Sequence, residues 1–364
     1  MIDIKPDIRF KKEIKKVSGS SLNECIQCGT CSVVCSLAPE DRPFPRKEMM
    51  WAAWGLKDKL MANVDVWLCH QCGDCSTNCP RGVNPADVIS SIRQLNYMYY
   101  ARPRFFATML SKPGWLAVAI LIPVIIISII LLLAGSFYIP DGPVNYSEFF
   151  PHSWLNASFS TITIIVYGFA VAGLIKFWKD LKINLPDTKP KINFFKALFQ
   201  VIGELLSHRK FGDCGSQKTR KIAHFLVFYG FIILFLMTLY AIYAVEIKSY
   251  PLDLTNPFKI AGNIGSLMLV VGLCLMIFNR MVYTKEYGNT NYSDWLLLIS
   301  MLLLTISGLV VQFARFENWS LAYHYYFFHL VCVWFVIIYL PYTKFTHMIY
   351  RLLALTFSRM IGRK

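Results

Sequence analysis

Charge is scarce in this sequence of 364 residues. Asp, Glu, Lys and Arg together make up 16%, against about 25% in an ordinary soluble domain. Acidic residues are the scarcer half: 22 Asp and Glu stand against 37 Lys and Arg, a formal charge of +15. With 55% hydrophobic residues and a mean hydropathy of +0.44, an ordinary water-soluble enzyme and a disordered chain are both excluded. No Gly-rich dinucleotide fingerprint follows a strand, so no NAD or FAD site of that type is expected. No Cys-Cys-Gly triplet occurs anywhere. The start, Met1 to Val17, is polar and Lys-rich without an apolar core, so no signal peptide is expected. Histidine is rare, with seven copies, which makes each position informative.

What the chain has is divided unevenly. Residues 1–112 contain no long apolar run, whereas six runs of spanning length follow: Trp115–Tyr138, Phe159–Trp178, Phe225–Val245, Ile260–Phe278, Trp295–Phe313 and Tyr325–Tyr342. Each approaches the 17–25 residues that a bilayer-crossing helix needs. The segment from Lys176 to Lys221 carries eleven Lys and Arg, Arg280 and Lys285 follow the fourth run, and Lys344, Arg351, Arg359, Arg363 and Lys364 follow the sixth. On the other side, Ile139–Asn156 has neither Lys nor Arg. The positive-inside rule therefore predicts a multi-pass protein of the inner (cytoplasmic) membrane with both termini cytoplasmic. Basic inner loops account for the charge excess without a nucleic-acid partner. In that reducing compartment the cysteines are not expected as structural disulfides.

The expected fold is all-α. Residues 1–112 form a cytoplasmic helical, cysteine-rich domain, 113–350 a six-helix transmembrane bundle with a long cytoplasmic loop at 179–221, and 351–364 a basic cytoplasmic tail. Asn84-Pro85 reads as an N-cap followed by Pro at the first helical position, and Val88, Ile89, Ile92 and Leu95 follow at helical spacing. Arg46–Met61 is a second helix candidate. Leu185–Pro190 reads as a linker. Asn193–Ser207 places Phe194, Leu198, Val201, Ile202 and Leu205 on one face, as either an interfacial amphipathic helix or a helix packed on the soluble domain.

Eight of the eleven cysteines lie between Cys25 and Cys79 in two runs of identical spacing. These are Cys25-x2-Cys28-x2-Cys31-x3-Cys35 and Cys69-x2-Cys72-x2-Cys75-x3-Cys79-Pro80. A [4Fe–4S] cubane needs four thiolates, one per iron. Three cysteines two residues apart wrap one face from a single loop, and in two-cluster ferredoxins the fourth cysteine of each run serves the other cluster. The predicted sets are Cys25, Cys28, Cys31 and Cys79 for one cluster, and Cys69, Cys72, Cys75 and Cys35 for the second. Two zinc sites are the competing reading, but those usually pair short two-cysteine knuckles across a long insert. Ser36 stands in the first run where the second has Pro80. Cys274 and Cys332 read as small apolar residues, and Cys214 as a free thiol.

The spans carry no charged residue near their centres, which argues against an ion pump and leaves histidine as the polar metal ligand. Neutral imidazole is the usual axial donor to haem iron. His329 and His347 are 18 residues apart; on one continuous helix they would share a face about 27 Å apart, one ligand for each of two stacked haems. His224 stands at the inner end of the third span, with His208 sixteen residues earlier. His152 and His324 read as interfacial residues and His70 as a polar neighbour of a cluster.

The paired cysteine runs resemble the C subunit of heterodisulfide reductase. The stretch from Ser207-His208-Arg209-Lys210-Phe211 through Cys214 to His224, and Tyr323–Arg351 with His329, Pro341, Lys344 and His347, resemble the E subunit of that enzyme and the gamma subunit of respiratory nitrate reductase. One chain that fuses both modules is similar to the C subunits of quinone-interacting membrane-bound oxidoreductase complexes. That resemblance covers nearly all of 20–355. It implies two [4Fe–4S] clusters, two b haems, menaquinone, flavin/iron–sulfur partner subunits and adenylylsulfate reductase as the physiological partner. It also implies that His224 pairs with His329 and His208 with His347 as axial haem ligands. By depth alone, His224 with His347 is the simpler inner pair. Related subunits that reduce disulfides at a noncubane cluster carry Cys-Cys-Gly motifs, and this chain has none.

The function expected is a membrane electron conduit that is a subunit of a quinone oxidoreductase complex, without a complete active site of its own. A membrane anchor for a heterodisulfide-reductase-like or sulfite-pathway enzyme is the nearest alternative, and a cluster-gated transporter or redox sensor is the alternative of another class. Met49, Met50, Trp51, Trp54 and Trp67, around Met49–Leu56 and Cys69–Arg81, mark the expected docking face wherever they are exposed. The outer group Trp319, Tyr323, Tyr325 and Tyr326 fits either a quinone pocket or an aromatic belt.

Overall fold

Short helices with one apolar face in the first part and long helices apolar all round after it account for most of the chain. The computed structural model describes residues 5–19, 21–40, 42–185, 189–208, 218–247, 252–283 and 290–363. Every regular element among them is helical. The first part holds eight helices: α1 (Ile8–Ser18), α2 (Thr30–Val33), α3 (Arg46–Ala53), α4 (Lys57–Met61), α5 (Asp65–Leu68), α6 (Asp74–Thr77), α7 (Pro85–Tyr100) and α8 (Arg104–Leu110). The long and linking helices follow as α9 (Leu116–Leu133), α10 (Tyr146–Phe149), α11 (His152–Ile183), α12 (Phe194–Ser207), α13 (Lys218–Ile247) and α14 (Pro257–Val282). The last three are α15 (Tyr292–Phe316), α16 (Ala322–Tyr339) and α17 (His347–Met360). Cys214, Arg209, Lys210, Lys285 and the middle of the Leu185–Pro190 linker lie outside the described residues.

Six helices are long and apolar enough to cross a membrane, at Pro113–Leu133, His152–Ile183, Thr219–Val245, Pro257–Val282, Tyr292–Phe316 and Ala322–Tyr342. The chain is a multi-pass membrane protein. Their exposed faces carry large apolar side chains such as Ile164, Leu267 and Phe278, as helices surrounded by lipid require. Asn193, Asn256 and Asn291 cap α12, α14 and α15, each side-chain oxygen accepting a backbone N–H of the first turn.

Three expectations are corrected. Arg46–Met61 is not one helix. It breaks at Gly55, whose φ of +70° and close approach to Asp7 leave no space for a Cβ: one placed there would meet the Asp7 carbonyl oxygen at 2.6 Å. His329 and His347 do not share one helix either. α16 ends at Tyr339, and two 3₁₀ turns, Leu340–Tyr342 and Lys344–Thr346, intervene with Thr343 extended between them. Pro341 causes the break, since it has no amide hydrogen to continue the ladder. Residues 351–363, read above as part of a tail, are helical through Met360 and packed against the rest of the protein. Tyr350, Ala354, Phe357 and Ile361 share one core with Phe10, Ile14, Met49, Trp67, Ile89 and Ile92.

That shared core fixes where the cysteine region lies. Phe177 and Leu181 from the end of α11 join it, and the Tyr100 hydroxyl donates to Asp180 at 2.9 Å. Trp67 stacks on Tyr350 with centroids 5.8 Å apart. α12 packs on α17 and buries Ala197 and Val201 beside Phe44, Leu68 and Leu355, while Phe195 and Phe199 on its opposite face stay exposed. The reading as a helix packed on the soluble domain applies to the face that carries Val201. Within the bundle α13 lies along α14, and α15 against α14 and α16.

Candidate functional site

The two cysteine runs fold into matching loops. Gln27 and Gly29 in the first, and Gln71 and Gly73 in the second, all have φ between +54° and +93°. Glutamine rarely adopts that region, so its recurrence at the same place in both runs shows one constrained loop shape built twice. Each loop turns into a single helical turn, α2 carrying Cys31 and α6 carrying Cys75. The Gln27 side-chain amide donates to Cys25 Sγ at 3.3 Å, and the Gln71 backbone N–H donates to Cys69 Sγ at 3.2 Å.

Four of the sulfurs line a common cavity, and four others lie within electrostatic reach of one another. Cys25, Cys28, Cys31 and Cys79 line one cavity together with Arg46 and Arg81. Burial, then Cys25 and Cys28, with Cys79 behind them, push the Cys31 thiol up to about 11. In the second group burial pushes Cys35 up to about 11, with Cys69 and Cys72 adding to it. Burial and then Cys69, Cys72 and Cys35 raise Cys75 further still. Cys28, at the open edge, is lowered by the Thr30 hydroxyl instead. Thiols that oppose one another's ionisation need a cation among them to become ligands, which is what cubane iron provides. The residues present fit that group. Cys31 also acts on Cys75, so the two nests adjoin.

The histidines divide into an inner group and an outer one. His208 occupies the left-handed C-cap of α12 at φ 49°. Its Nε2 meets His224 Nδ1 at 3.1 Å, and its Nδ1 meets the Leu206 carbonyl at 3.1 Å. A carbonyl only accepts, so His208 carries its proton on Nδ1 and accepts at Nε2. His224 is then the donor at Nδ1. His347, the first residue of α17, donates from Nδ1 to the Lys344 carbonyl. Burial holds the His347 imidazole down at about 4, so it is neutral. His224 lies within electrostatic reach of His208, His347, Arg351 and Arg220.

The outer histidine follows the same pattern. The Ser307 hydroxyl donates to the Leu304 carbonyl, so the 2.9 Å contact with His329 Nδ1 runs from the histidine to the serine. Gly308 makes room for this ring: a Cβ there would stand 3.1 Å from His329 Cε1. His208 and His224 are thus brought into contact, His347 lies within electrostatic reach of His224, and His329 faces Ser307 and Gly308. A donor fixed at Nδ1 with Nε2 presented is the usual arrangement of a metal-ligating imidazole. The 3.1 Å contact of His208 with His224 is itself a hydrogen bond.

Two arginines to which the sequence reading gave no role connect the two regions. Arg220, one turn before His224, donates to the carbonyls of Gln71 at 2.6 Å and His70 at 2.9 Å. Arg351, one turn after His347, is half-buried within electrostatic reach of Arg93, Cys69, Glu204 and Arg220. In each case the signal is the four-residue spacing from a histidine. Among the expected docking residues, Met49 and Trp67 are fully buried and Trp54 is 55% exposed, while Ile26 (62%) and Val33 (85%) stand open beside the first nest. The outer aromatics are engaged in packing. Tyr326 stacks on Tyr146 at 4.3 Å, the Tyr323 hydroxyl accepts the Asn145 N–H, and Trp319 lies against Phe313 and Tyr325.

Residues 21–83 match the family of the 4Fe-4S dicluster domain, and residues 108–363 match the family described as Citrate utilization protein B. Over 352 residues the chain is 25% identical to Citrate utilization protein B of Escherichia coli, covering 91% of this chain and 88% of that protein. It is 38% identical over 90 residues to the C subunit of the H(2):CoB-CoM heterodisulfide,ferredoxin reductase of Methanothermobacter marburgensis, which is 24% of this chain and 47% of that subunit. To a protein of Archaeoglobus profundus described as like the C subunit of heterodisulfide reductase it is 34% identical over 94 residues, 26% of this chain and 50% of that protein. The chain thus spans about half the length of these two relatives. No solved structure matches it.

Proposed function

The chain belongs to the Citrate utilization protein B family, and from that premise we propose that it is a membrane electron-transfer subunit linking menaquinone to a cytoplasmic redox partner. The observation that supports this most directly is Arg220. It fastens the Cys69–Cys72 loop to the first turn of α13, one turn from His224. The cysteine nests and the inner histidines are then one continuous unit rather than two modules on a tether.

We assign Cys25, Cys28, Cys31 and Cys79 to one [4Fe–4S] cluster and Cys35, Cys69, Cys72 and Cys75 to the other. His224 and His347 would hold a b haem through Nε2, and His208 orients His224. His329 presents the same tautomer to a second haem. When bound, these groups supply one-electron steps between quinone and partner. The protein's part is to fix tautomers, keep the imidazoles neutral and exclude water around the nests. Both termini would lie in the cytoplasm, on the side of the basic segments.

A chain of one-electron carriers needs a two-electron carrier at its soluble end. This sequence has no fingerprint for one, so a flavin/iron–sulfur subunit is the expected partner. The similarity to quinone-interacting subunits extends this to adenylylsulfate reductase. The relative that covers 91% of this chain is named for citrate utilization, which favours an enzyme of carboxylate metabolism instead.

Iron and haem analysis of the purified protein tests the reading. A dithionite-reduced spectrum of b type and about eight irons beyond haem are expected. His224→Ala and His347→Ala should each lose the inner haem, and Cys72→Ser one cluster. Zinc in place of iron, or unchanged haem in both histidine variants, overturns it.

A further inference from the structure

Packing on α17 accounts for only one side of α12. Ala197 and Val201 are buried there, with Leu205 on the same core. Lys196, Gln200, Gly203 and Ser207 form an exposed polar side. A third strip consists of Phe195, Phe199, Ile202 and Leu206, spaced i, i+4, i+7, i+11 and so within about 60° of one another around the helix. Phe195 is 67% exposed, Phe199 70% and Leu206 41%, and Ile202 is half-buried. An exposed strip of large apolar side chains along a whole helix marks a contact surface. Both ends of α12 are tied to spans. The Phe194 ring lies edge-on to Trp178 of α11 with centroids 5.4 Å apart, and Phe195 follows it at 5.5 Å. At the other end the Tyr229 hydroxyl of α13 donates to the Leu206 carbonyl at 2.7 Å, and Phe225 and Phe228 of that span flank the His208 ring. Trp178 closes the second apolar run and Phe225 opens the third. The 14 residues of α12, about 21 Å of helix, therefore run from one span to the other at the level where their apolar runs begin.

We propose that α12 lies in the bilayer interface on the side of the cysteine region, with Phe195, Phe199, Ile202 and Leu206 among the lipid acyl chains. Continuity selects lipid over a protein partner. The strip joins the exposed apolar surface of the spans at both ends, where Ile175 and Ile183 of α11 and Ile222 and Phe225 of α13 are open. Charge agrees with this. Lys189, Lys191 and Lys196 are exposed around the start of the helix and suit phosphate headgroups. Glu204, the one acidic residue of α12, is taken by Arg359. An amphipathic helix of this kind sinks its apolar strip about 5–10 Å into the boundary between headgroups and chains. The Val201 face meanwhile packs on the core that holds Cys35 and Cys69, so the second nest stands close behind the membrane surface. The proposal goes beyond the electron-transfer reading and holds with or without haem.

Photo-crosslinking of the full chain tests this. The photoreactive residue p-benzoylphenylalanine replaces one side chain at a time, and the purified protein is reconstituted in nanodiscs of phosphatidylethanolamine and phosphatidylglycerol. Mass spectrometry after irradiation identifies what each position has bonded to. Replacing Phe195 or Phe199 alters an exposed aromatic side chain and leaves the core intact. Ile164, exposed in the second span, is the lipid-facing reference, and Val33, exposed beside the first nest, is the aqueous one. Lipid adducts at Phe195 and Phe199 should approach the yield at Ile164 and exceed that at Val33 at least about tenfold. A smaller excess over Val33, with Ile164 labelled, overturns the proposal. Two further outcomes also overturn it. In one, Phe199 bonds to a second copy of the chain in place of lipid, which makes the strip a face between copies. In the other, irradiation in native membranes yields an adduct with a different polypeptide in place of lipid, which assigns the strip to a partner subunit.

Discussion

Glu48 shows how far a single residue can be followed. It is fully buried on α3, accepts a hydrogen bond from Asn63 at 3.2 Å, and has Lys47 3.4 Å away. Burial and the neighbouring Asp65 push its carboxyl up from 4.5 to about 7. The folded state therefore holds an extra proton between those pH values. The stability this contributes is complete below about pH 4.5 and is lost as pH rises through about 7. Glu48→Gln should flatten that part of the stability profile and raise thermal stability above pH 7, by about 3 kcal/mol at most. Melting curves of both proteins in detergent from pH 5 to 8 check this, and parallel profiles refute it. Cysteine spacing made the two nests legible in the sequence, because ligand number and loop geometry are local. The histidine tautomers were not legible. They depend on the Leu206 and Lys344 carbonyls and on Ser307, which are set by packing.

Among the elements, α15 depends most on its first turn. Asn291 and Asp294 form a reciprocal capping box, and the Asn291 amide also donates to Gln94 on α7 at 3.1 Å. Asp294 in turn gathers Arg280 and Lys344, so a helix start on the membrane surface anchors the turn that carries His347. Asn291→Ala should cost about 1–2 kcal/mol, read as a lower melting temperature. A variant that melts with the wild type would refute it. The six spans were legible because length and hydropathy are properties of one segment. Gly55 and Pro341 were visible in the sequence, yet their effect was not, since helical periodicity continues past both. What stops the helix is the left-handed backbone of Gly55, packed closely on Asp7, in one case and a missing N–H in the other.

At the scale of the whole molecule, the last helix decides whether the chain works as one body. Tyr350, Ala354, Phe357 and Ile361 enter the core of the cysteine region, Arg363 pairs with Asp65 at 2.5 Å, and the Met360 carbonyl accepts the Lys191 N–H at 2.7 Å. Composition suggested a solvated basic tail, because Arg351, Arg359 and Arg363 dominate it. The partners of Arg359 and Arg363, Glu204 and Asp65, lie more than 150 residues away in sequence. Non-local pairing of this kind leaves no periodic trace. Phe357 alone fills core space whose loss costs about 3–5 kcal/mol. Deleting residues 348–364 keeps His347 and all six spans but removes this seal. The shortened protein should insert in the membrane as the wild type does, yet lose cluster iron and release its first 110 or so residues to mild proteolysis. Full iron retention with an uncut cysteine region would show that α7 and α11 hold the two parts together without α17.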